Sequence, residues 1–153
     1  MGNGSCRRFR KFYEDQVKEI LGLLEKEFRD GQVSLDTYLD ICEQKGIEPD
    51  PDEMPPTMGE YPSEVQVAFL LHDLLPDRWD GMSGSYFGKD MSALDLLLET
   101  WEVEDRKTTI FFIKQIESYN SKQINEKLKR KREASERQAK ARAGTKPGIN
   151  VKG

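Results

Sequence analysis

The chain has 153 residues, 36% hydrophobic and 34% charged, with a formal net charge of −4. That length makes one domain with a modest core, and no run approaches the 18 apolar residues of a transmembrane helix. The net charge hides a partition. Residues 1–11 carry four basic residues and no acid, residues 127–153 carry ten basic and two acidic, and the centre is left at −16.

An acidic body between basic ends suits self-association or contact with an acidic macromolecule. The two cysteines, Cys6 and Cys42, form no disulfide or metal framework, and no signal-like apolar run is present. Both features lead us to expect a reducing, cytoplasmic setting.

In chain order, Met1-Gly-Asn-Gly-Ser-Cys6 has a flexible composition that only approaches a myristoylation leader, since Cys stands where Ser or Thr is required. We expect a flexible basic leader over residues 1–8 and a helical domain over 9–128. Phe9, Tyr13, Val17, Ile20, Leu21, Leu24 and Phe28 recur at steps of three and four, which predicts an amphipathic helix. Asp30-Gly31 closes it. Ser34 to Thr37 opens a second helix running to Lys45, with Gly46 as its C-cap. The string Asp30-Gly-Gln-Val-Ser34 has the look of a calcium loop, but the required oxygen ligands would fall on Lys26, Phe28 and Thr37, so we read a corner.

Residues 47–61 hold four prolines and five acids, which exclude a helix and disfavour a strand. They form either a packed arm or a linker; Met54, Met58 and Tyr61 favour the arm. Pro62 begins a helix to Leu75 whose apolar density marks it as the central core helix. Its His72, the only histidine of the chain, reads as a hydrogen-bonded packing residue. No nucleophile and second base accompany it in a recognisable arrangement.

Pro76 to Asp90 concentrates Gly81, Gly84 and Gly88 with Trp79, Tyr86 and Phe87, and is read as a glycine-rich loop. Three readings stay open: a connection pinned by its rings, a surface for a partner protein, and a small-molecule or phosphate site. The phosphate-loop spacing is absent. The residues assigned to protein binding are Asp77, Arg78, Trp79, Asp80, Met82, Tyr86, Phe87 and Lys89, because Trp, Tyr and Arg dominate binding hot spots.

Ser92 to Asp95 has capping-box spacing, with Met91 and Leu96 placed as a staple and Asp90 as the alternative cap. That helix carries Leu94, Leu97, Leu98 and Trp101, and a corner at Glu102 to Asp105 precedes the last helix. Ile110 to Tyr119 supplies the apolar stripe of that helix, which also allows two copies to pair. From residue 129 to 153 we expect a basic, partly disordered tail, whose residues favour helix from Lys129 to Arg142, frayed when free and helical when bound, with Gly144, Pro147 and Gly148 ending it. Lys127, Lys129, Arg130, Lys131, Arg132, Arg137, Lys140 and Arg142 are its candidates for contact with nucleic acid or an acidic surface. The scattered acid pairs form no framed acid–base or metal site, so no catalytic residue, metal or cofactor is assigned.

The whole predicts an all-α domain of about five helices, with a proline-rich arm, a glycine-rich loop and a long basic C-terminal helix. The signature Tyr61-Pro-Ser-Glu-Val-Gln-Val-Ala-Phe69, followed by Asp77 to Asp90, resembles small accessory proteins of T4-like tailed phages over the helical part to about Arg132. That resemblance implies a non-enzymatic accessory or virion-assembly protein in the host cytoplasm or on the virion. It would bind another phage protein through the loop and charged helix. The alternative is a sequence-independent nucleic-acid-binding factor in DNA packaging or replication.

Overall fold

A computed structural model describes residues 14–29 and 31–144 of the chain. The predicted leader, the start of the first helix at Phe9 to Tyr13, Asp30 of the first corner, and residues 145–153 lie outside the described residues.

The architecture is all-α with one small antiparallel hairpin. Helices α1 (Glu14–Glu27), α2 (Leu35–Lys45) and α3 (Ser63–Leu74) come first. Strands β1 (Asp77–Trp79) and β2 (Tyr86–Lys89) follow, then α4 (Leu94–Thr100) and the long α5 (Arg106–Gly144). Helix α2 starts and stops as its sequence dictates. The Ser34 side chain accepts from the Thr37 N–H, and Gly46 takes φ 64° in the left-handed region to receive the turn.

The core is the seam between α3 and α5, the most extensively packed pair. Val65, Ala68 and Leu71 of α3 meet Phe112, Ile113 and Ile116 of α5, with Ile20 and Leu24 of α1 and Leu98 of α4 closing the cluster. Each large aliphatic or aromatic side chain so enclosed stabilises the fold by about 1.5–3 kcal/mol relative to exposure. Phe28 extends the seam in offset stacks on Phe69 and Tyr119, at centroid distances of 6.4 and 6.2 Å.

The proline-rich segment is a packed arm. Pro55, Pro56 and Tyr61 are buried, while Met58 faces outward. The Tyr38 hydroxyl accepts from the Asp50 N–H at 3.0 Å, and Lys26 reaches the Pro51 carbonyl at 3.4 Å. Pro62 sits one residue before α3 as its N-cap.

Three expectations need correction. The capping box at Ser92 is not formed; Asp90, the alternative, accepts from the Ser92 N–H at 3.0 Å and caps a 3₁₀ turn, Met91–Ala93, that leads into α4. Leu96 is correspondingly exposed and cannot staple to Met91, and Trp101 is half-exposed. The boundary at residue 128 is a change of exposure and not of backbone, since α5 runs unbroken to Gly144. The third correction is the glycine-rich stretch itself.

Candidate protein-binding hairpin and cationic helix

The stretch read as an irregular loop is a β-hairpin. Asp77 pairs with Lys89, Arg78 with Gly88 and Trp79 with Tyr86, with a register irregularity after Arg78. The glycines serve the turn and the docking rather than abolishing regular structure. Gly84 takes φ 63° in the turn, which Asp80 organises by accepting from the Met82 and Ser83 N–H groups and the Ser83 hydroxyl. Those hydrogen bonds hold the Asp80 carboxyl below its ordinary range.

Gly88 is the point of closest approach to α5. It is buried at φ 93°, and a Cβ there would collide with the Glu117 carboxylate, whose Cδ would stand 3.3 Å away. Glu117 receives three donors: the Lys89 N–H at 3.1 Å, the His72 Nε2–H at 2.6 Å and the Ser121 hydroxyl at 2.5 Å. This one carboxylate therefore ties hairpin, α3 and α5 together. His72 is 3% exposed and acts as the packing residue its sequence context suggested.

A second set of bonds fixes the other end. Asn125 of α5 donates to the Tyr86 carbonyl at 3.2 Å, and Arg132 donates to the Ser83 carbonyl at 2.6 Å. The Tyr86 hydroxyl donates to Asp77 at 2.8 Å, and Lys89 Nζ lies 3.1 Å from the same carboxylate. Chiefly the Tyr86 hydroxyl, and then Lys89, lower the Asp77 carboxyl against the opposing effect of burial. Burial, then Asp77, pushes the Tyr86 phenol up.

The structure divides the eight proposed protein-binding residues. Tyr86, 3% exposed, is turned inward, and Lys89 is largely covered and paired; neither offers a surface, which corrects their assignment. Asp80 is committed to its own turn, and Asp77 to Tyr86 and Lys89. Four remain outward: Arg78, Trp79, Met82 and Phe87, with exposures of 51% for Trp79, 99% for Met82 and 63% for Phe87. Trp79 still rests on Tyr86 at a centroid distance of 4.9 Å.

A recess of about 360 Å³ beside the hairpin is lined by Phe28, Phe69, His72, Asp77, Lys89 and Asn120. Of its polar side chains, His72 is bonded to Glu117, Asp77 to Lys89 and Tyr86, and Asn120 to the Tyr86 hydroxyl. Among the described residues, no group of three or more His, Cys, Asp or Glu is placed to hold a metal ion. No described helix is long and apolar enough to cross a membrane.

All eight basic candidates of α5 are exposed, and Arg132 is bonded to the hairpin turn. The residue that sequence reasoning missed is Glu117. Its signal was present: an acid, with Ser121 one turn on, interrupts the apolar run of Phe112, Ile113, Ile116 and Tyr119. Comparison with protein-family models, curated proteins and solved structures gives no match to this chain.

Proposed function

We propose that the protein is a non-enzymatic accessory factor that binds another protein through the outer surface of its hairpin. The setting is the one its central signature resembles, virion assembly in a T4-like tailed phage. One observation carries the reading: Trp79, Met82 and Phe87 stand outward on a two-stranded element that is bolted to α5 at Lys89, Tyr86 and Ser83. A hairpin that only connected α3 to α4 would gain stability by burying these side chains. Rings held outward on a rigid support bind at low entropic cost, because little ordering remains to be done on contact.

The test is affinity capture from infected cells with wild-type protein and with Phe87→Ser and Met82→Ser. Both positions are exposed, so the variants keep the fold. Recovery of a discrete virion or assembly protein by the wild type, with loss of at least about ten-fold (about 1.4 kcal/mol) in the variants, supports the proposal. Capture that is unchanged in both variants refutes it.

A further inference from the structure

The rest of the chain treats the two edges of the hairpin differently. Along β2, the edge turned away from β1 is capped by α5: Glu117 takes the Lys89 N–H, and Asn125 donates to the Tyr86 carbonyl. Along β1 the main-chain bonds alternate. The Pro76 carbonyl accepts from the Asp90 N–H at 2.8 Å, Arg78 is paired with Gly88, and the Asp80 N–H donates to the Ser85 carbonyl at 2.8 Å. Residues 76, 78 and 80 thus turn their main-chain groups toward β2, and the period of two turns those of Asp77 and Trp79 the other way.

Among the described residues, nothing is bonded to the N–H or C=O of Asp77 or Trp79, and all of β1 is exposed. An open edge of this kind is a template for another strand. The devices that close such an edge are placed elsewhere. The register irregularity puts its extra residue, Phe87, in β2; Pro76 precedes β1; and α5 covers the far side.

With the hairpin taken as the binding element, a reading this step rests on, we infer that β1 takes an extended segment of the partner protein as a third, antiparallel strand, with a carboxylate of that segment opposite Arg78. Asp77 and Trp79 exchange their N–H and C=O bonds with the added strand. Arg78 then falls in the intervening pair without hydrogen bonds, where opposing side chains come closest. Arg78 is exposed, and beyond a weak pull on the Asp90 carboxyl it forms no hydrogen bond or ion pair among the described side chains. Trp79, 51% exposed, stands on the other face of the strand and offers its ring to an apolar residue beside it.

A second copy of the chain fits this edge less well. Pairing β1 with itself about its middle residue sets Arg78 against Arg78, and like charges directly opposite destabilise a sheet. A helix laid on the hairpin would cover Trp79 but leave the main-chain groups of Asp77 and Trp79 without partners.

The probes are two blocked peptides, acetyl-Thr-Val-Glu-Val-Thr-amide and its counterpart with Lys in place of Glu, added to the isotope-labelled full chain. With the Glu peptide the Asp77 and Trp79 amide protons should move downfield and exchange about two-fold more slowly at half-saturation. The Arg78 and Gly88 amides, already paired, should keep their exchange rates. Affinity is read from Trp79 fluorescence in a Trp101→Phe background. The Lys peptide should bind about five-fold more weakly, since a like-charge pair replaces an opposite-charge one. Arg78→Glu should reverse that order and Arg78→Gln should abolish it; the Gly88 amide signal verifies that the hairpin is kept in both. Phe87→Ser should leave peptide binding unchanged. Capture lost in Phe87→Ser with no peptide effect at Asp77 or Trp79 therefore removes the edge and keeps the hairpin reading. No change at either amide with millimolar peptide overturns the inference, as does equal binding of the two peptides or an order that survives Arg78→Glu. Protection of both amides that grows with the concentration of the free chain assigns the edge to a second copy and overturns it too.

Discussion

At Gly88 one hydrogen atom in place of a side chain decides whether the hairpin can reach α5. Gly88→Ala adds both a left-handed backbone strain and a collision with Glu117, so we expect a loss of about 1–3 kcal/mol, measured by urea denaturation. Tyr61 presents the reverse case. Its hydroxyl is buried with no hydrogen-bond partner among the described residues, and burial raises the phenol well above its usual range. Tyr61→Phe removes a desolvated polar atom while keeping the ring against Phe69, and should be neutral or stabilising by up to about 1 kcal/mol. Asp77 provides a pH signature. Its folded value is lowered, so its contribution is present above the unfolded carboxylate range near pH 4 and is lost as pH falls through the lower folded value. Asp77→Asn should therefore destabilise at pH 7 and converge on wild type in acid. The carboxylate is half-exposed, which limits the gap to less than about 1 kcal/mol; thermal melts from pH 7 to pH 2 measure it.

Among the elements, the helices were legible in the sequence and the hairpin was not. Spacings of three and four, Ser34 and Gly46 as caps, and Pro76 as a stop are local signals, and each is found where the chain predicts it. Strands of three and four residues have too little alternation to register, and three close glycines point away from any regular element. What makes the hairpin is tertiary: Glu117, 28 residues past Lys89, accepts the strand N–H that would otherwise face solvent. The binding residues were legible only by type. Whether Tyr86 or Phe87 faces outward depends on strand parity, which no composition argument supplies. Glu117→Ala should leave His72 and the Lys89 N–H unpaired in a covered site and cost about 2–4 kcal/mol, whereas Glu117→Gln retains an acceptor and costs less. Hydrogen exchange should show the hairpin amides opening first in the alanine variant.

For the molecule as a whole, the charge partition becomes a spatial one, with an acidic helical body and a cationic rod joined by one uninterrupted helix. Truncation after Leu128 removes exposed residues and the Arg132 bond to Ser83. Stability should change by no more than about 1 kcal/mol, while circular dichroism loses the helical signal of the removed segment.

Because α5 has no joint at the edge of the body, the core also determines where the rod is aimed. Gly144 stands about 42 Å along the helix from Ile116, so a tilt of about 10° at that point of the seam sweeps the far end through about 7 Å. Filling or hollowing the space around Ile116 would thus steer a distant charged lever without altering a single one of its residues.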